Sequence, residues 1–204
     1  MEIVGAILLS YILGSIPFGY VIGRLKGVDL RAIGSGNIGT TNVYRALGLR
    51  YALCVFVLDS TKGLTATTLL SSLAREEAAY APIICGLAVI AGSVASLFMR
   101  FRGGKGVATA VGVFIGLAPI ATIVSIAVWA IVVGLTRYVS LGSITAAICL
   151  PILIHLLGSS YTVTQPTLYL SLCVAAIVII RHRSNIGRLI NGTEHKIGRL
   201  SKDG

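Results

Sequence analysis

Six apolar stretches divide this sequence, at Ile3 to Gly23, Tyr51 to Leu73, Ala79 to Met99, Val107 to Leu135, Val139 to Leu157 and Val163 to Ile180. Most are near the roughly 20 residues that cross a hydrocarbon core, and the connections between them are short. The chain therefore reads as an all-α, polytopic integral membrane protein. It forms a single membrane domain over residues 1–204, and residues 185–204 make a polar cytoplasmic tail. With 55% hydrophobic and only 12% charged residues, against about a quarter charged in soluble domains, an ordinary soluble fold is excluded. The first stretch begins with Glu2, lacks a basic leader and carries Gly14, Pro17 and Gly19, so it reads as a retained helix and not a cleaved signal. Cys54, Cys85, Cys149 and Cys173 all fall inside apolar segments without metal-site or disulfide spacing, and are expected as buried free thiols.

A net charge of +10 suggests a polyanionic partner only until the cations are placed. Arg24, Lys26, Arg31, Arg45 and Arg50 follow the first stretch, Arg100, Arg102 and Lys105 the third, and Arg181, Arg183, Arg188, Lys196, Arg199 and Lys202 the last. This is the positive-inside pattern, which orients a chain in a bilayer without nucleic acid. The connections at Arg75, Glu76 and Glu77 and around Ser159 to Gln165 read as external. A single crossing by Val107 to Leu135 would then put Arg137 and the basic tail outside. Two crossings place both inside, and because a helix of that length reaches only about 43 Å, the two must be short or broken. Gly116 and Pro119 supply a break, proline lacking the backbone donor. The expectation is seven transmembrane helices, amino terminus out and carboxy terminus in, with a cytoplasmic-side active site.

Gly34 to Gly48 is too polar to span and too apolar for a solvated loop, which fits a re-entrant segment supported by protein or water. Asp59 and Lys62 sit three apart in an apolar helix and share a face. Two readings stay open for them, an internal ion pair and direct contact with substrate, because an isolated charge there is costly.

Gly34-Ser35-Gly36-Asn37-Ile38-Gly39 formally matches the dinucleotide fingerprint, but no strand and crossover helix surround it. What remains is closely spaced glycines whose backbone donors can cradle a phosphate. Ser35, Asn37, Thr40, Thr41 and Asn42 add side-chain donors, and Arg45 adds a planar cation suited to bidentate phosphate contact. A second cluster, Arg102 to Thr109, places Gly103, Gly104, Lys105 and Gly106 just before a helix. It is not a Walker motif, yet glycines and a lysine at a helix amino terminus describe an anion site. The third cluster, Arg181-His182-Arg183-Ser184-Asn185, taken alone reads as an anchor among lipid headgroups. His155 reads as a packing or interfacial histidine and His195 as solvated. No histidine is followed at the fifth position by aspartate, and Asp29, Glu194 and Asp203 read as scattered. Neither a soluble-type His-Asp acyltransferase nor a magnesium-dependent reaction fits, so no metal and no cofactor is expected.

In order and spacing, LGSIPFG at Leu13, GSGNIGTTNVYRALG at Gly34, Asp59 to Gly63, FRGGKGVATA at Phe101 and RHRSNIGRLINGTE at Arg181 resemble the bacterial acyl-phosphate:glycerol-3-phosphate acyltransferase family, over essentially the whole chain. The resemblance implies acyl transfer from acyl phosphate to the 1-hydroxyl of glycerol 3-phosphate. The products are lysophosphatidic acid and phosphate, the first step of phospholipid synthesis, at a bacterial inner membrane and without acyl-CoA. It further implies that Ser35, Arg45, Lys105, Ser143, His182 and Asn185 hold glycerol 3-phosphate, all but Ser143 as candidate catalytic residues. Gly39, Thr40, Thr41, Asn42, Gly103, Gly104 and Gly106 would hold the acyl phosphate through backbone and hydroxyl donors, with Asn37 beside them. Family members often carry histidine after the glycine at position 92, where this chain has Ser93; a dozen residues from Lys105, the change is expected to touch little of the site. Thr40 stands where alanine is common.

Two rivals bear on the same features. Transporters of phosphorylated solutes also use broken helices with anion-binding ends, though GSGNIG and RGGKG are not repeated units. A merely structural membrane protein with basic loops does not need three glycine-rich patches.

Overall fold

The computed structural model describes residues 2–74, 79–157 and 165–198. The acidic connection at Arg75 to Glu77, most of the Ser159 to Gln165 connection, and Arg199, Lys202 and Asp203 lie outside the described residues. The chain divides into two compact units, Met1–Leu117 and Ala118–Gly204.

In the first unit, α1 (Ile3–Ser15) and α2 (Phe18–Leu25) form one span interrupted at Pro17. A loop leads to α3 (Thr40–Leu47), which turns through Gly48 (φ 87°) into α4 (Leu49–Thr65). One π-helical turn, Ala66–Leu70, extends α4. Then follow α5 (Ala81–Val94), a 3-10 turn at Leu97–Met99 and α6 (Val107–Leu117). Lipid offers no hydrophobic drive for helix pairing, so close approach of small residues has to supply it. A Cβ at Gly14 would strike the Val89 carbonyl, and one at Gly92 the Tyr11 carbonyl, which sets how closely α1 and α5 cross. Gly63 and Gly112 do the same between α4 and α6. The segment expected to be re-entrant is a loop and a short helix packed on α4: Leu30, Val43, Ala52 and Val55 form a shared apolar core.

The second unit contains α7 (Pro119–Thr136), α8 (Val139–Leu157), α9 (Gln165–Arg181) and α10 (Arg183–Ile190). Gly142 of α8 lies against Trp129 and Val133 of α7. The chain from α10 is partly folded where a polar tail was expected: the Ile197 amide donates to the Arg137 carbonyl at 2.8 Å, and the Lys196 ammonium stands 5.4 Å from the Tyr138 ring centre.

The break expected between Gly116 and Pro119 is present, with α6 ending at Leu117 and Pro119 opening α7. Among the described residues five helices are long and apolar enough to cross a membrane, and a sixth span arises if α9 and α10, bent by 58°, are one. α6 has 11 residues, about 16 Å of helix, half the thickness of a hydrocarbon core. Side chains such as Leu8, Leu53, Val57, Ile131 and Leu156 point outward, as lipid-facing surfaces require. Cys85 is buried and Cys149 half-buried, but Cys54 and Cys173 stand on exposed faces, correcting the expectation of burial; all four are free thiols. On a helix in lipid an outward thiol meets an apolar surround, so nothing drives it inward.

Candidate functional site

The loop before α3 is built around Asn42. This residue is 1% exposed, donates from Nδ2 to the carbonyls of Leu30 and Ile33 at 2.8 and 3.0 Å, and accepts from the Ser35 amide at 3.1 Å. A Cβ at Gly34 would sit 2.5 Å from the Asn42 amide oxygen and 3.6 Å from Cδ of Arg45, so only glycine lets both approach. Asn37 accepts from the Gly39 amide at 2.9 Å, and Gly39 precedes Thr40 and Thr41 in the first turn of α3. The loop from Ser35 to Gly39 is thereby tied to the start of α3, with one difference from expectation: the Asn42 side chain, expected to serve the ligand, is committed to shaping the loop. A buried amide surrounded by loop carbonyls satisfies them first.

The glycine-lysine loop differs from expectation in the same way. The Gly103 and Gly104 amides, expected to hold a phosphate, donate to the carbonyls of Val94 and Ser93 at 3.1 and 3.0 Å. They satisfy the carbonyls that α5 leaves open at its end. A Cβ at Gly103 would collide with those same carbonyls. Gly106 (φ 77°) then turns the chain into α6, whose first-turn amides lack helical acceptors by construction. Ser93, expected to matter little, meets this loop through its carbonyl and the start of α6 through Oγ, which accepts from Thr109 at 3.1 Å. Its carbonyl is common to every residue type, so a change of side chain there leaves the loop's main anchor intact. The two loops adjoin: a Cβ on Gly104 would lie 3.8 Å from the Asn37 amide oxygen.

Nearby cations divide by their partners. Asp29 binds Arg31 at 2.8 Å and Arg24 at 3.6 Å, and hydrogen bonds from the Arg31 side chain and backbone hold its carboxyl well below the usual range. Both guanidinium groups also stand over Tyr20. Asp59 and Lys62 pair at 2.7 Å.

In the second unit, His182 is 2% exposed at the junction of α9 and α10. Its Nδ1 lies 2.8 Å from the Val178 carbonyl. A carbonyl only accepts, so Nδ1 carries a proton and the variable nitrogen is Nε2. Ser143 donates to the Val139 carbonyl at 2.9 Å. His155 is exposed near the end of α8, and His195 is exposed as expected.

Glu194, read from the sequence as one of three scattered acids, is the centre of a cluster. Its Oε1 accepts from Asn185 Nδ2 at 2.7 Å and Ser140 Oγ at 3.0 Å, and its Oε2 from Arg188 Nε at 2.7 Å. Burial by itself would raise this carboxyl's pKa; the three donors outweigh burial and hold it below 4.5. The available signal was Asn191-Gly192, a turn pair that folds Glu194 back on α10.

The glycerol-3-phosphate acyltransferase family model matches residues 4–192. A glycerol-3-phosphate acyltransferase of Trichlorobacter lovleyi is 46% identical over 187 residues, 92% of this chain and 93% of that protein. One from Aquifex aeolicus is 42% identical over 96% of this chain and all of its own length. The crystal structure of PlsY (YgiH), an integral membrane glycerol 3-phosphate acyltransferase in its glycerol 3-phosphate form, superposes with a TM-score of 0.89 at 41% identity, covering 97% of this chain and 96% of that one. Its lysophosphatidic acid form gives 0.87 at 40%. The chain is thus an integral membrane enzyme that belongs to the glycerol-3-phosphate acyltransferase family.

Proposed function

We propose that this acyltransferase takes its acyl group from an acyl phosphate and passes it to the 1-hydroxyl of sn-glycerol 3-phosphate, releasing lysophosphatidic acid and inorganic phosphate. The observation that carries this reading is the adjacency of two glycine-rich loops in the first unit, one bordered by Arg45 and the other containing Lys105. A reaction between two phosphorylated substrates needs two neighbouring anion sites and fixed cations to offset their repulsion. The two forms of PlsY described above contain glycerol 3-phosphate and lysophosphatidic acid, the acceptor and the product of this reaction.

Ser35, Arg45 and Lys105 are assigned to glycerol 3-phosphate; Ser143, His182 and Asn185 keep the part in binding that the family resemblance implies. Gly39, Thr40, Thr41 and the glycines at 103, 104 and 106 are assigned to the acyl phosphate. Gly103 and Gly104 serve there as close-approach residues, and the first turn of α6 supplies the backbone donors. The glycerol oxygen attacks the acyl carbon, the new carbon–oxygen bond forms, and the bond to the phosphate oxygen breaks with its electron pair leaving on phosphate. The hydroxyl proton passes to an oxygen of the departing phosphate, so neither a covalent enzyme intermediate nor a protein base is required. Cations and donors stabilise the charge that gathers on the acyl oxygen.

The same proposal places the chain in a bacterial inner membrane with seven passes, α6 counted as one in a locally thinned or broken segment, amino terminus out, and the site on the cytoplasmic side. Purified protein given palmitoyl phosphate and glycerol 3-phosphate should release phosphate stoichiometrically with lysophosphatidic acid. Activity with palmitoyl-CoA and none with palmitoyl phosphate would reject the donor assignment.

A further inference from the structure

Acyl transfer makes no direct use of Lys62, yet its ammonium is 3% exposed inside an apolar helix. It reaches three oxygens: the Gly14 carbonyl at 3.1 Å, the Ile16 carbonyl at 2.9 Å and Asp59 Oδ1 at 2.7 Å. That is the full donor capacity of an ammonium group. The Phe18 ring centre lies 5.3 Å away.

Two of those oxygens belong to the interruption of the first span. Pro17 has no amide hydrogen, and the Phe18 amide donates to Ile16 at 3.2 Å instead of to Gly14. The Gly14 carbonyl thereby loses its helical donor, a costly condition at membrane depth, and Lys62 replaces it. α2 then starts at Phe18, and the next residue, Gly19, touches the Ile38 carbonyl so closely that no Cβ fits. Ile38 stands between Asn37 and Gly39 in the first glycine-rich loop. On its other side, the same turn of α4 grips α6. Gly63 abuts the Thr109 carbonyl and the Val113 amide, and Ser60 Oγ donates to the Ala108 carbonyl at 3.0 Å. α6 follows directly from the second loop.

We propose that Lys62 is a positioning residue for acyl transfer: by bridging the break at Pro17 to α4, it sets the register of the Ser35 loop against the Lys105 loop, and Asp59 keeps its charge in place. The inference rests on the proposed reading of those loops as substrate-phosphate sites. It resolves the two readings left open for the pair in favour of the ion pair, with a consequence for catalysis that a bare structural pair would lack.

Replacing Lys62 alone leaves the Asp59 carboxylate uncompensated, so the informative variant is D59N/K62M. Folded D59N/K62M, with its Tm in detergent held near that of the wild type, should show KM rising for glycerol 3-phosphate and palmitoyl phosphate together. Its kcat/KM should fall about tenfold or more, since small misplacement of bound reactants is costly in rate. D59N alone, which keeps both carbonyl bonds but leaves the buried ammonium without its carboxylate, should lower Tm and raise KM by less than D59N/K62M does. Wild-type kcat and KM in folded D59N/K62M would overturn the proposal, as would loss of kcat at unchanged KM in D59N. Where D59N/K62M does not fold, K62R reads the same quantity: its guanidinium keeps the charge but displaces the break, so KM should rise while Tm holds, and unchanged KM overturns the proposal. K105A separates the two levels. Turnover retained in K105A removes the reading of the loops; turnover lost there but intact in D59N/K62M removes only the role of Lys62.

Discussion

Nδ2 of Asn185 donates to Oε1 of Glu194 at 2.7 Å, joining α10 to the turn that follows it. Because Ser140 and Arg188 donate to the same carboxylate, Glu194 fixes the rotamer of Asn185 from beneath. Glu194→Gln keeps the shape but removes the charge and turns one acceptor into a donor facing other donors. It should destabilise the protein by about 1.5–3 kcal/mol, the worth of hydrogen bonds to a charged group, and weaken glycerol 3-phosphate binding through Asn185. The same pair of proteins carries a pH prediction. The folded-state pKa of Glu194 lies below its ordinary 4.5, so its contribution is complete above that pH and is lost as pH falls through the depressed value. The Tm difference between wild type and E194Q should therefore be constant near neutrality and shrink below pH 4.5; a gap independent of pH down to pH 3 would contradict it.

Lys105→Ala should leave Tm nearly unchanged and lower kcat/KM by about a hundredfold or more, the scale seen when one preorganised charge-stabilising donor is removed. Retained activity would mean that the phosphate site lies elsewhere.

Gly103→Ala and Gly104→Ala should differ sharply. A methyl at 103 collides with the Ser93 carbonyl and comes within 2.7 Å of the Val94 carbonyl oxygen, whereas one at 104 meets only Asn37 at 3.8 Å. G103A should lose about 1–3 kcal/mol through overpacking, and G104A should unfold at the wild-type temperature. Equal Tm values for the two would show that the loop yields freely.

His182→Gln distinguishes substrate assistance from a histidine base. If the proton passes to the departing phosphate, H182Q should raise KM for glycerol 3-phosphate and keep the wild-type pH–rate profile. Normal binding with turnover abolished would assign the base to His182.

Topology can be read at Arg137, which ends α7 on an exposed turn. A cysteine placed there should resist a membrane-impermeant maleimide in intact cells and react after permeabilisation. Labelling of intact cells would remove the seven-pass count.

The recurring apolar lengths and the grouping of Arg and Lys determine by themselves that this chain lives in a membrane, because bilayer thickness and interfacial charge act on local composition. The glycine-rich motifs were equally legible, since close backbone approach and anion binding leave a signature within a few residues. What each amide does there was not. Gly103, Gly104 and Asn42 carry donors in the right segments, yet the structure commits them to Val94, Ser93, Leu30 and Ile33, because a buried carbonyl takes the nearest donor regardless of sequence distance. Glu194 and Lys62 show the same limit. One looked stray and the other ambiguous until tertiary folding set Glu194 under Asn185 and Lys62 against Gly14, 48 residues away. Composition decides which solvent a segment prefers, but a charge inside a membrane protein acquires its role from the oxygens that surround it, and those are chosen only when helices pack.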